Sequence, residues 1–92
     1  MSNFMIVLVR DFLNGNLDAI SFVEEFSKQW KVERDQGKLL EYDDATNEFF
    51  SSVFCLADIF NPDDIREEYE LDSNGLLVGV RELAEKIGPV GL

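Results

Sequence analysis

Between Asp43 and Pro62 the sequence carries an apolar surface too broad for a helix with only one buried side. Phe49, Val53, Leu56 and Phe60 recur at helical spacing, and Phe50, Phe54 and Ala57 widen the stripe they form. Residues three and four apart share a helix face, so a surface helix needs only a narrow apolar stripe. This segment therefore reads as a central helix packed on two sides, and the rest of the chain must supply its neighbours. Its limits are also legible. Asp43 or Asp44 suits the N-cap and the positive end of the helix dipole. Asn61-Pro62 ends the segment, because Pro62 has no N–H to donate and holds Asn61 in extended geometry.

Three other segments can pack on that helix. Asp18 is the expected N-cap of a helix ending at Gly37, with Leu17 and Phe22 placed as a hydrophobic staple. Phe22, Val23, Phe26 and Trp30 form its apolar face, while Glu24, Glu25, Lys28 and Lys31 look outward. A short connector, Lys38 to Glu41, follows. Asp72 is the expected cap of a last helix carrying Leu76, Val80, Leu83, Ala84 and Ile87, with Gly88-Pro89 after it. Residues 3–13 admit two readings. Met5, Leu8, Val9 and Phe12 follow a helical stripe, whereas Ile6 to Val9 would also make a buried strand. Nothing else in the chain reads as a strand to pair with it, so a helix is expected, broken at Asn14-Gly15-Asn16. The fold class is accordingly all-α, an antiparallel four-helix bundle. A chain of 92 residues builds one core, so a single domain over 1–92 is expected.

Residues 63–71 admit a short helical turn or an acidic loop, with Tyr69 and Leu71 expected to pin it to the core. Cys55 lies beside the central stripes and is expected to be a buried structural thiol, with no base near it to make it reactive. One cysteine and no histidine exclude an internal disulfide, thiol metal clusters and histidine-dependent catalysis. The apolar run in the first ten residues lacks a basic flank and a cleavage site and is too short to span a bilayer. A cytoplasmic protein with no membrane partner is the expectation.

Charge is the other strong signal. From Glu41 to Asp72 stand eleven acids and one base, Arg66, a net −10 of the chain's −11. Eight Phe and a Trp argue against disorder despite that charge. Nucleic acid is a poor partner for such a surface. The doublets Asp43/Asp44, Asp63/Asp64 and Glu67/Glu68 do not suggest acid–base catalysis, since adjacent helical side chains diverge by about 100°. A calcium loop fails in both registers, because its sixth position, which requires Gly, would be Glu68 or Leu77. No metal and no cofactor are expected. Asp72-Ser73 is similar to the Asp-Ser pair of acyl carrier proteins, but Asn74-Gly75 follow it and a capping role explains it. An acyl-carrier-like acidic domain with Ser73 modified is one alternative function, and an acidic adaptor for protein interaction is another.

The run from Ala57 to Leu76, continuing through Val80-Arg81 to Glu85-Lys86, resembles colicin D-type immunity proteins. More broadly it resembles the bacterial self-protective colicin-like immunity family. The carrying pattern is Asp58, Phe60, Pro62-Asp63, Arg66, Tyr69-Glu70-Leu71-Asp72 and Asn74-Gly75-Leu76. Phe12-Leu13, Leu17 to Phe22 and Glu33-Arg34 fit more loosely. The resemblance implies a non-enzymatic four-helix bundle that binds and blocks the ribonuclease domain of a cognate tRNA-cleaving toxin. The toxin could belong to a colicin, another bacteriocin or a contact-dependent growth inhibition system. Acids would lie in the toxin's basic groove where RNA phosphates otherwise sit. Asp58 and Asp63 match the family's interface acids, Asn61 stands where an acid is usual, and Asp64 adds one. The expected toxin-binding residues are Asp58, Asp63, Asp64, Glu67 and Glu68. Asp43, Asp44 and Glu48 join them if the start of the third helix lies beside that face. The free protein is expected to be a monomer or weak homodimer.

Overall fold

Asn3 sets the first helix by folding its side chain back on the chain: its Oδ1 accepts from the N–H groups of Met5 at 2.9 Å and Ile6 at 3.3 Å. The computed structural model describes residues 3–88. Helix α1 runs Phe4–Leu13 and buries Met5, Leu8, Val9 and Phe12, which decides the ambiguous segment for helix. It closes with the two bonds of a Schellman turn. Asn16 N–H donates to the Asp11 carbonyl at 2.8 Å and Gly15 N–H to that of Phe12 at 3.2 Å. Gly15 adopts φ +80°, a conformation that side chains with a Cβ resist.

Helix α2, Ala19–Asp35, starts where the sequence placed it: Asp18 accepts from Ser21 N–H at 2.7 Å. Phe22 and Phe26 are fully buried, and Leu17, Val23 and Trp30 pack half-buried against the core. Gly37, at φ +74°, turns the chain into a 3₁₀ turn, Lys38–Glu41. Asp43 then caps α3, Asp44–Asp58, by accepting from Thr46 N–H at 2.8 Å. Asp72 caps α4, Ser73–Ile87, by accepting from Gly75 N–H at 2.7 Å. The described residues thus form four α-helices and no strand. No helix among them is long and apolar enough to cross a membrane.

Helix α3 lies against both α2 and α4, as its broad apolar surface requires, and α1 covers α2 and α4. Phe49, Phe50, Val53 and Ala57 are its buried residues. A chain of rings ties the first three helices together. Phe12 stacks on Phe22 at 4.4 Å, Phe22 meets Phe26 at 5.4 Å, and Phe26 meets Phe50 at 6.2 Å. Trp30 stacks on Phe54 at 4.1 Å. On the other side, α4 contributes Leu76 and Val80 and approaches closely at Gly79. A Cβ there would stand 3.0 Å from Leu56 Cδ1.

Four sequence expectations change. Cys55 is exposed rather than buried, because it lies about 200° round the helix from both Val53 and Ala57, whose side faces the core. Tyr69 is exposed too, so of the two expected anchors only Leu71 packs on the core. Helix α3 ends at Asp58, ahead of Asn61-Pro62. The chain leaves it early because Leu71 N–H donates to the Ile59 carbonyl and Asn61 N–H to the Leu71 carbonyl, each at 2.8 Å. These bonds make an isolated parallel bridge between Phe60 and Leu71. Gly88 exits α4 in extended geometry, φ −69°, not the left-handed form, and Pro89 lies outside the described residues.

Candidate interaction site

The acidic segment between α3 and α4 is a loop rather than a helical turn. Its shape comes from its own polar groups. Asn61 works with both ends of its side-chain amide: Oδ1 accepts from Asp63 N–H at 3.0 Å, and Nδ2 donates to Glu70 Oε1 at 3.3 Å. The same Glu70 oxygen accepts from Glu67 N–H at 2.8 Å, and Glu70 N–H donates to the Glu67 carbonyl at 3.0 Å. Arg66 folds back along the loop, donating to the Asp63 carbonyl with its guanidinium 3.9 Å from the Asp72 carboxylate. Phe60 and Leu71 pack half-buried on the core and hold the two feet of the loop. A loop whose polar groups bond one another in this way is a shaped surface rather than a loose tether.

This wiring divides the acids into two kinds. Glu70 and Asp72 are spent on the loop and on the α4 cap. Asp58, Asp63, Asp64, Glu67 and Glu68 are exposed. Among the described residues, none of these five carboxylates accepts a hydrogen bond or meets a cation. With five free carboxylates against Arg66, which is itself bonded to the Asp63 carbonyl, the surface of this end is anionic.

Asp43, Asp44 and Glu48 stand apart. Asp43 caps α3 and Asp44 opens it, about 22 Å along the helix from Asp58, while Glu48 lies in its second turn, about 15 Å from Asp58. Asp43 is also committed to capping. Thr46, through its hydroxyl and its N–H, holds the Asp43 carboxyl below the usual carboxylate range. Ser73, the first residue of α4, is exposed beside a working cap, which accounts for the Asp72-Ser73 pair without a carried group.

Sequence reading missed two features. Within the loop, Ile65 is 91% exposed and Tyr69 67%. The available signal was Ile65 itself, an aliphatic residue flanked only by charges and belonging to no stripe. The second is Glu33, only 4% exposed and the one buried charged residue among those described. It falls on the stripe of Phe22, Phe26 and Trp30, a position that calls for a partner. Gln29 Nε2 donates to one carboxylate oxygen at 2.9 Å and the Tyr42 hydroxyl donates to the other. Asn3 Nδ2 in turn donates to the Tyr42 oxygen at 2.8 Å. Burial first, and then Glu33, push the Tyr42 hydroxyl up to about 12. A cleft of about 410 Å³ opens over this network, with Lys38 and Glu41 on its walls. Among the described residues no group of three or more Cys, Asp or Glu side chains could hold a metal ion.

A family model described as bacterial self-protective colicin-like immunity matches residues 1–87, a span that takes in all four helices. No curated protein matches the chain.

Proposed function

The chain belongs to the bacterial self-protective colicin-like immunity family, and from that membership we propose that it binds and neutralises a cognate tRNA-cleaving ribonuclease toxin. The face that does so is the loop end carrying Asp58, Asp63, Asp64, Glu67 and Glu68, presented by an antiparallel four-helix bundle. The observation that carries this reading is that all five carboxylates are free, Asp58 at the end of α3 and the other four on a loop whose other polar groups bond one another.

The physical argument runs from the target's chemistry. A ribonuclease must hold RNA phosphates and therefore carries a basic groove. A fixed set of carboxylates can occupy that groove in place of phosphates, and opposite potentials speed the encounter. Inhibition is occupancy: nothing is turned over, and no cofactor takes part. Steering with a few desolvated charge pairs supports a Kd of about 10⁻⁹ M or tighter. The protein acts in the cytoplasm, as a monomer or weak homodimer until it meets the toxin. That toxin is the effector domain of a colicin, another bacteriocin or a contact-dependent inhibition system.

The test begins with tagged protein recovered from the producing strain and its bound partner identified by mass spectrometry. The expected partner is a basic domain that cleaves tRNA once separated and stops when the protein is added back. A partner without ribonuclease activity would overturn the tRNA-cleaving target, and the absence of any toxin would overturn the whole reading.

A further inference from the structure

We infer that Ile65 and Tyr69 are the apolar anchors of this surface, inserted into a hollow of a cationic protein partner, while the surrounding acids act as its rim. The inference rests on the toxin-binding reading and adds what holds the complex together. Neither residue has a structural reason for its place. Ile65 is 91% and Tyr69 67% exposed, and the feet of the loop are already held by Phe60 and Leu71. The loop's hydrogen bonds run through Asn61, Arg66, Glu67 and Glu70, so neither side chain is needed for its shape.

Their setting distinguishes them from the other exposed apolar residues. Phe4 stands on α1, Val78 on α4, Ile20 and Val32 near opposite ends of α2, and Leu40, 86% exposed, on the 3₁₀ turn. Ile65 and Tyr69 alone share one loop, four residues apart, with Asp63, Asp64, Glu67 and Glu68 around them. An apolar centre with an aromatic residue and a charged rim is the usual layout of a binding hot spot.

The same charges choose the occupant. Phosphates of RNA and anionic lipid headgroups are repelled by the rim, and a second copy of the chain would set like charges face to face. A protein surface rich in Lys and Arg with an apolar hollow among them fits both parts. The two parts then have separate kinetic roles. Rim charges govern the association rate and its salt dependence, while buried anchors govern dissociation.

Binding kinetics separate them, with the identified basic toxin domain as the probe. Ile65→Ala and Tyr69→Ala should each raise Kd about tenfold or more through faster dissociation, leaving the slope of association rate against salt unchanged. Ile65→Ser, a polar replacement, should do at least as much. Circular dichroism should match the parent throughout, since neither residue touches the core. If the double alanine variant binds and dissociates like the parent while Asp63→Asn/Asp64→Asn weakens binding, the anchor assignment is overturned and the toxin reading stands. If the parent protein itself does not bind that domain, both fall together.

Discussion

Glu33 is tolerated on the apolar side of α2 because both carboxylate oxygens are met, one by Gln29 and the other by Tyr42. Tyr42→Phe leaves one oxygen of a buried charge without its donor and should cost about 1–3 kcal/mol. Urea unfolding should show a lower midpoint at unchanged slope. The pH dependence has a definite sign. Folding raises the Tyr42 hydroxyl from 10.0 to about 12, so the native state favours the neutral phenol. That contribution is fully present below pH 10 and is lost as pH climbs through 10 towards 12. Unfolding curves across that window should fall more steeply for the parent than for Tyr42→Phe. The need for a partner at Glu33 was legible, since spacing alone puts it with Phe26 and Trp30. Tyr42 as the partner was not, because it reaches back over the Gly37 turn and no local pattern records that reversal. Cys55 shows the same limit: the period gave α3 its stripes, but only the placement of α2 and α4 decides what lies between them.

At the scale of elements, the helices were readable because their punctuation is local. Asp18, Asp43 and Asp72 each bond an N–H three residues on, and Gly15 and Gly37 take positive φ after helix ends. Asp72→Ala should cost about 1 kcal/mol through loss of the α4 cap, lowering Tm by about 4–8 °C for a domain of this size. Acid acts on the other two caps. Bonds from Ser21 hold Asp18, and bonds from Thr46 hold Asp43, below the ordinary 3.8. Their contribution is present above that value and disappears as pH falls through the lowered one. The loop was the least legible element, since its order lies in side-chain bonds rather than in a period. Asn61 uses both ends of its amide, which a carboxylate could not do. Asp at this position could still accept from Asp63 N–H, but it could not donate to Glu70 and would repel it. Asn61→Asp should therefore leave helicity unchanged while the Glu67 amide, which bonds Glu70, exchanges its hydrogen faster. Unaltered exchange at Glu67 would mean that Asn61 does not organise the loop.

For the molecule as a whole, a net charge of −11 has opposite consequences for stability and for association. Like charges oppose the compact state, so added salt should raise the urea midpoint of the free protein. The same salt should slow its encounter with a basic partner. Reversing Asp63 and Asp64 to Arg moves the net charge from −11 to −7, which relieves self-repulsion while placing cations where the partner's cations lie. The double variant should unfold at an equal or higher urea concentration than the parent and keep its helicity. Its affinity for the toxin domain should nevertheless fall by about 2–5 kcal/mol, the range for disrupting desolvated charge pairs. A general loss of structure would lower both quantities together, whereas an acidic face built for a basic groove separates them. The corresponding reversal of Asp44 and Glu48, in the first two turns of α3, changes the net charge equally and supplies the control. If it weakens binding as much as the loop reversal, attraction depends on total charge; if it does not, the five acids at the α3–α4 loop are the recognition surface.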